Sequence, residues 1–291
     1  MTPPDSAIHI FEATRSAHFG REGDGPGEVR APSDVILDHE TVAVLDYGAG
    51  RLTTYDFAGR VIRTRMVPAL TSRRIFVTGA DTLLEYRVPF SSTRALVRIA
   101  GTRTDTVYAW ESAPRALRLE ASGAPIMVIP APYVAEPQWA VAASGVIAVW
   151  TPETNQVELR TLSGRSVGSF AGPTAPHQVS GADREAWLES AVPDGAVFAP
   201  LRARARVLAT FPRTLPPVLS MLGDPRGGVW LQRTTSAEGE TWEHRSATGA
   251  LLGSVRLPEG RRLRAIGPSR IAALAETPDG DQVVEIYSRT Q

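Results

Sequence analysis

The chain of 291 residues contains no cysteine, which excludes disulfides, zinc thiolates and a cysteine nucleophile. Lysine is missing too: all 31 basic residues are arginine, and 31 acidic residues bring the formal charge to zero. A chain without net charge has no general attraction for nucleic-acid phosphates or for an anionic membrane, so neither is expected as a partner. The arginine bias accompanies abundant alanine, glycine and proline, and reads as the composition of a GC-rich genome rather than as an arginine-specific binding role. No apolar run approaches the ~20 residues that a membrane-crossing helix needs. Residues 1–11 (MTPPDSAIHIF) have neither the basic nor the apolar region of an export signal, and no address is expected in them.

What the chain does have is a repeated pattern of short apolar runs and turn residues, with 43% hydrophobic residues to build a large core. The clearest copy is residues 20–66, GREGDGPGEVRAPSDVILDHETVAVLDYGAGRLTTYDFAGRVIRTRM. Gly20, Gly23, Gly25, Pro26 and Gly27 make a loop. Residues 33–37 read as a first strand, and 41–46 as a second whose Val42, Ala43, Val44 and Leu45 are apolar on both faces. A turn at 47–50 leads to a third strand at 51–57, and Ala58-Gly59 to an exposed fourth at 60–65. Burial inside and polarity outside is the gradient of a radial blade.

Later copies follow. Strands are expected at 73–78, 82–88, 93–99 and 105–110, then at 139–143, 146–150, 156–162 and 166–170. Another set falls at 218–223, 229–233, 241–245 and 251–257, and three more strands at 262–267, 270–276 and 282–288. Ser163-Gly164 and Thr248-Gly249 occupy the turn that Ala58-Gly59 fills in the first copy. The spacing is a repeat of about 40 residues interrupted by two insertions. Residues 113–138 read as a hairpin-like insertion, with a two-stranded extra blade as the alternative. Residues 172–217 form a helical or irregular insertion: Ser180 and Asp183 signal a helix start, with Ala186, Trp187, Leu188 and Ala191 as its apolar face. Residues 201–209 (LRARARVLA) suit a strand by alternation and a helix by their place after Pro200. Upstream, residues 8–20 match the third and fourth strands of a blade. The expectation is therefore one all-β domain over 1–291, a six-bladed β-propeller of four-stranded antiparallel blades with its first blade incomplete. An alternative closes the ring by pairing residues 8–13 beside 282–288.

The stretch GREGDGPGEV…VAVLDYGAGRLTTYDFAGRVIRT resembles NHL-repeat blades, with their glycine-rich loop, Leu/Val-x-Asp strand and aromatic third strand. The whole chain is similar to bacterial six-bladed propellers of unknown function, on TRALVRIAGTRTDTVYAW at 93–110, QVELRTLSGR at 156–165, VSGADREAWLE at 179–189 and FPRTLPP…GDPRGGVWLQR at 211–233. That resemblance implies an exported full-length protein with a further half-blade upstream of Met1, neither of which this sequence carries.

No constellation rises to a catalytic or metal signature, and no cofactor is expected. Calcium-dependent lactonases and esterases of this architecture need several oxygen ligands converging in a tunnel. Here the one asparagine, Asn155, sits between strands, and acidic residues do not recur at matching blade positions. His9, His18, His39, His177 and His244 are scattered, with His18 and His177 nearest to interblade loops. The glycine loop lacks the Gly-Lys-Ser/Thr ending and following helix of a phosphate loop. Asp46 with Arg51 reads as a pair tying two strands, and Trp139, Trp150 and Trp230 as packing between blades rather than as a glycan platform. The glycine loop and both insertions are all fourth-to-first connections, which places the elaborations on one rim. The expected function is a binding or scaffold propeller, taking a protein or small ligand there through Arg21, Glu22, Asp24 and Arg30. The alternatives are a metal-dependent lactonase, esterase or lyase, and a fragment without activity of its own.

Overall fold

The computed structural model describes residues 8–11, 16–38, 41–67, 72–78, 81–87, 92–112, 116–122, 126–142, 145–174, 177–234, 239–277, 279–280 and 282–289. The chain forms two compact units, residues 1–111 with 162–164 and residues 112–161 with 165–291.

In the first unit, β1 (Ile8–Phe11) and β2 (Ser16–Phe19) make a two-stranded antiparallel sheet. A four-stranded sheet follows in chain order, β3 (Pro32–Asp38), β4 (Thr41–Asp46), β5 (Arg51–Asp56) and β6 (Val61–Met66). A second contains β7 (Ser72–Thr78), β8 (Asp81–Arg87), β9 (Thr93–Ala100) and β10 (Arg103–Glu111). In β4 every residue from Val42 to Asp46 is buried, whereas β6 is largely exposed. The face of Ala43, Leu45 and Leu52 packs on Ile75, Leu84, Ala95 and Val97 of the second sheet. The two first strands, β3 and β7, lie side by side. The Ile75 N–H donates to Asp34 Oδ2 at 2.8 Å and fastens them.

The second unit begins with a hairpin, β11 (Ala116–Leu119) and β12 (Met127–Pro130). Next come the sheet β13 (Gln138–Val141), β14 (Ile147–Thr151), β15 (Gln156–Arg160) and β16 (Ser166–Ala171), then helices α1 (Gly181–Ala191) and α2 (Ala199–Leu208). β17 (Val218–Gly223), β18 (Val229–Arg233), β19 (Thr241–Arg245) and β20 (Leu251–Arg256) form another four-stranded sheet. β21 (Arg261–Ile266), β22 (Arg270–Glu276) and β23 (Gln282–Ser288) form a three-stranded one. First strands again adjoin, β13 against β17 and β17 against β21. Trp150 is fully buried in β14, and its indole N–H donates to Asn155 Oδ1 at 2.9 Å. Asn155 in turn donates to the Pro173 carbonyl at 2.9 Å. It does so from φ +48, a left-handed conformation that asparagine tolerates better than most residues.

These sheets, with innermost strands adjacent and outermost strands exposed, define a β-propeller. The described blades number five, four of four strands and one of three, not the expected six. The difference has physical causes. The β1–β2 hairpin, the expected incomplete first blade, stands as a two-stranded sheet of its own and adds no sixth blade, and among the described residues β23 pairs only with β22, so the alternative closure is not seen. The 113–138 insertion does not form an extra blade, because its apolar side packs on helices. Residues 172–217 hold two helices instead of one short one, and the ambiguous 201–209 stretch is α2. On α1, Trp187 and Leu188 are buried as expected, but Ala186 is exposed.

Gly223 marks a close approach between two blades of the second unit: a Cβ there would stand 1.7 Å from the Val141 carbonyl oxygen. Backbone cannot yield as a side-chain tip does. Gly223→Ala should therefore cost about 3 kcal/mol, at the upper end for overpacking, read as a lower denaturant midpoint in chemical unfolding.

Candidate functional site

The glycine loop lies in the first unit, and its skeleton is set by three side chains outside the predicted contact set. Arg51, nearly buried, donates to the carbonyls of Asp24 at 2.8 Å and Glu28 at 2.6 Å. Glu28 accepts the Gly25 N–H at 2.7 Å and the Arg21 guanidinium at 2.6 Å. The Gly25 N–H first, and Arg21 second, hold its carboxyl below the usual range. Asp46 is 2% exposed and accepts the N–H groups of Arg30 and Ala31, each at 3.0 Å, and of Ala49 at 3.2 Å. Its Oδ2 is 3.7 Å from Arg51 Nε, so the pair does tie the strands and also hangs the loop. Val29 completes the anchor by packing on Val42, Val44 and Tyr55.

The four predicted contacts sit on this frame. Arg21 pairs with Glu28, and Arg30 with Asp24. The Arg21, Arg30 and Asp24 side chains are 83%, 54% and 59% exposed. Glu22 is exposed, and its backbone bridges to Val29. The loop thus presents all four at the surface, with buried groups holding the backbone and the charges facing solvent.

In the second unit, the two insertions fold onto each other. Leu119 and Ile129 of the hairpin share a core with Trp187, Leu188 and Val192 and with Leu201 and Ala205 of α2. Ser180 and Asp183 form the predicted capping box. The Tyr133 hydroxyl donates to the Asp183 carbonyl and joins hairpin to helix. Tyr133 holds φ +50, a strained value for an aromatic residue. At the foot of this cap a cavity of about 340 Å³ is lined by Pro130, Ala131, Tyr133, Val134, Glu136 and Gln138. Glu136 is buried and accepts the Ser112 hydroxyl at 3.0 Å. Sequence reasoning passed over this cavity; the proline-flanked run APYVAEPQ was the available signal.

A closely knit buried polar cluster lies elsewhere in that unit, at GDPRGGVW, a stretch whose spacing names no site. Asp224, with no exposed surface, accepts the Trp230 indole N–H at 2.7 Å and Arg289 at 2.6 and 3.1 Å. His244 Nε2 is 2.9 Å from Asp224 Oδ2, and its ring stacks on Trp230 with centroids 4.7 Å apart. Burial pushes the Asp224 carboxyl up, but Arg289, the Arg226 N–H, Trp230 and His244 together outweigh it and leave the pKa below the ordinary range. The cluster fastens the last blade to the preceding one.

Of the remaining candidates, His177 faces Asp183 at 3.3 Å at the start of α1. His9 and His18 are cross-strand partners in β1–β2, and His39 lies outside the described residues. Trp139, Trp150, Trp187, Trp230 and Trp242 are all buried, so they form no exposed aromatic platform. Among the described residues no group of three or more His, Asp or Glu is placed to hold a metal, and no helix is long and apolar enough to cross a membrane.

No family model matches this sequence, and no curated protein does. Solved structures do. A member of the DUF4221 family from Bacteroides vulgatus superposes with a TM-score of 0.55 at 8% identity, over 98% of this chain and 93% of its own. A streptogramin B lyase gives 0.43 at 10% identity over 90% and 84%, and the virginiamycin B lyase of Staphylococcus aureus 0.42 at 10% over 90% and 85%. The likeness to the first is one of fold alone.

The Asp224 cluster makes a testable pH signature. A carboxyl whose folded pKa is depressed adds stability above its unfolded value and loses it as pH falls through the folded one. The wild type should keep this contribution above about pH 4 and lose it progressively below. Asp224→Asn, which strands Arg289, should cost about 3–5 kcal/mol at pH 7 and flatten the acid limb of stability against pH in urea titrations.

Proposed function

We propose that this chain is a non-enzymatic recognition or scaffold propeller that takes its partner on the glycine loop through Arg21, Glu22, Asp24 and Arg30. The supporting observation is the division of labour in that loop. Arg51, Asp46 and Glu28 hold its backbone from below, so ordering it adds no cost at the moment of binding. Arg21 is engaged with Glu28 and Arg30 with Asp24, in exposed ion pairs that contribute little to stability. Such pairs exchange readily for a partner's charges. A surface of both signs on a fixed backbone favours a partner of complementary charge pattern over a small apolar ligand. Kinship with NHL-type propellers, on the glycine loop and the strands after it, and export of the full-length protein belong to the same reading.

The test uses a quadruple variant, Arg21→Ala, Glu22→Ala, Asp24→Ala and Arg30→Ala. Its thermal midpoint should stay close to that of the wild type, because the frame is intact. Affinity for any protein captured by the wild type should fall at least tenfold by calorimetry. Undiminished affinity, or turnover of lactone or ester substrates by the wild type that the variant retains, would reject the reading.

A further inference from the structure

The charge balance of the first unit is local as well as global. Among its described side chains, Arg21, Arg30, Arg51, Arg60, Arg94, Arg98 and Arg103 each lie within ion-pair distance of a carboxylate. Arg63 and Arg65 do not. On β6, Arg63 is opposite Thr54 and Arg65 opposite Leu52, so both rise from one face. That face continues through Leu45 and packs on the second sheet. Both terminal nitrogens of Arg65, Nη1 and Nη2, are enclosed and have no hydrogen-bond partner. Burial first, and the neighbouring charge of Arg63 second, push the Arg65 pKa down, with no acidic group in opposition.

An enclosed guanidinium with both ends of its fork unanswered is costly, because the ion has left water without gaining a counter-charge. Among the described residues no protein group repairs the deficit. A ligand can, and the geometry of the fork says which kind: two parallel N–H donors match two oxygens of one carboxylate, phosphate or sulfate group. We infer that Arg65, with Arg63 as a second positive charge beside it, is a binding site for a small oxyanion at the outer margin between the two four-stranded sheets of the first unit. Arg63, Thr64 and Met66 are exposed and Arg65 as a whole is half-buried, so the enclosed fork lies close to solvent. The inference is independent of the glycine-loop reading, since neither arginine belongs to that surface.

Calorimetric titration of the whole chain with inorganic phosphate, and separately with acetate, in chloride buffer of matched ionic strength tests it. One saturable site is expected, and the tighter of the two anions tells a phosphate-type group from a carboxylate. Arg65→Met should abolish the heat, Arg65→Lys should fail to restore it because the fork is gone, and Arg63→Gln should weaken binding about tenfold. In chloride alone, Arg65→Met should melt no lower than the wild type, since it removes an uncompensated ion. That result separates loss of a ligand from loss of the fold. No saturable heat with either anion, or equal binding by Arg65→Met, would overturn the site.

Discussion

In three of the blades the second strand has water on neither side over most of its length. β4, β14 and the start of β18 are buried in unbroken runs, and everything outside them follows from that demand. A strand buried on both faces needs a sheet neighbour on each edge and a packed neighbour on each face. Antiparallel meanders supply the first, and adjacent sheets supply the second. The polar groups stranded at the ends of these strands then have to be answered from nearby loops. Asp46 at the end of β4, Asn155 after β14 and Asp224 before β18 each do this, binding nearby backbone N–H groups, a backbone carbonyl or a tryptophan indole.

This explains what could be read from the sequence and what could not. Period-2 alternation and turn glycines are local, and they located β4, β17, β18, β19, β22 and β23 at the residues expected. Gly59, Gly164 and Gly249 take φ of 79°, 84° and 84°, as the shared hairpin turn requires. Blade number is not local. Two strands at residues 8–19 carry the pattern of half a blade whether or not a larger sheet receives them, and counting them as such gave six. The α2 stretch failed for a related reason: RARARV alternates like a strand, but it is the partnership of Leu201 and Ala205, four residues apart, with the hairpin core that decides for helix.

The glycine loop was legible as a surface, its supports only in part. Arg21, Glu22, Asp24 and Arg30 are close in sequence, so their place on one exposed loop is legible there. Arg51 and Asp46 reach the loop from a turn more than twenty residues further on from Gly23, and no spacing rule announces that. The Asp224 cluster was harder still, since one of its members lies 65 residues away. Sequence motifs show which residues are unusual; only the fold shows which of them meet.

That separation has a consequence for biosynthesis. Sheet β17–β20 is complete once Arg256 has been added, yet Asp224 within it still lacks the guanidinium that neutralises it. During elongation the sheet carries an acid whose counter-ion has not been translated. Docking of the last blade and neutralisation of that acid therefore happen as one late event, when Arg289 leaves the ribosome and closes over the indole of Trp230.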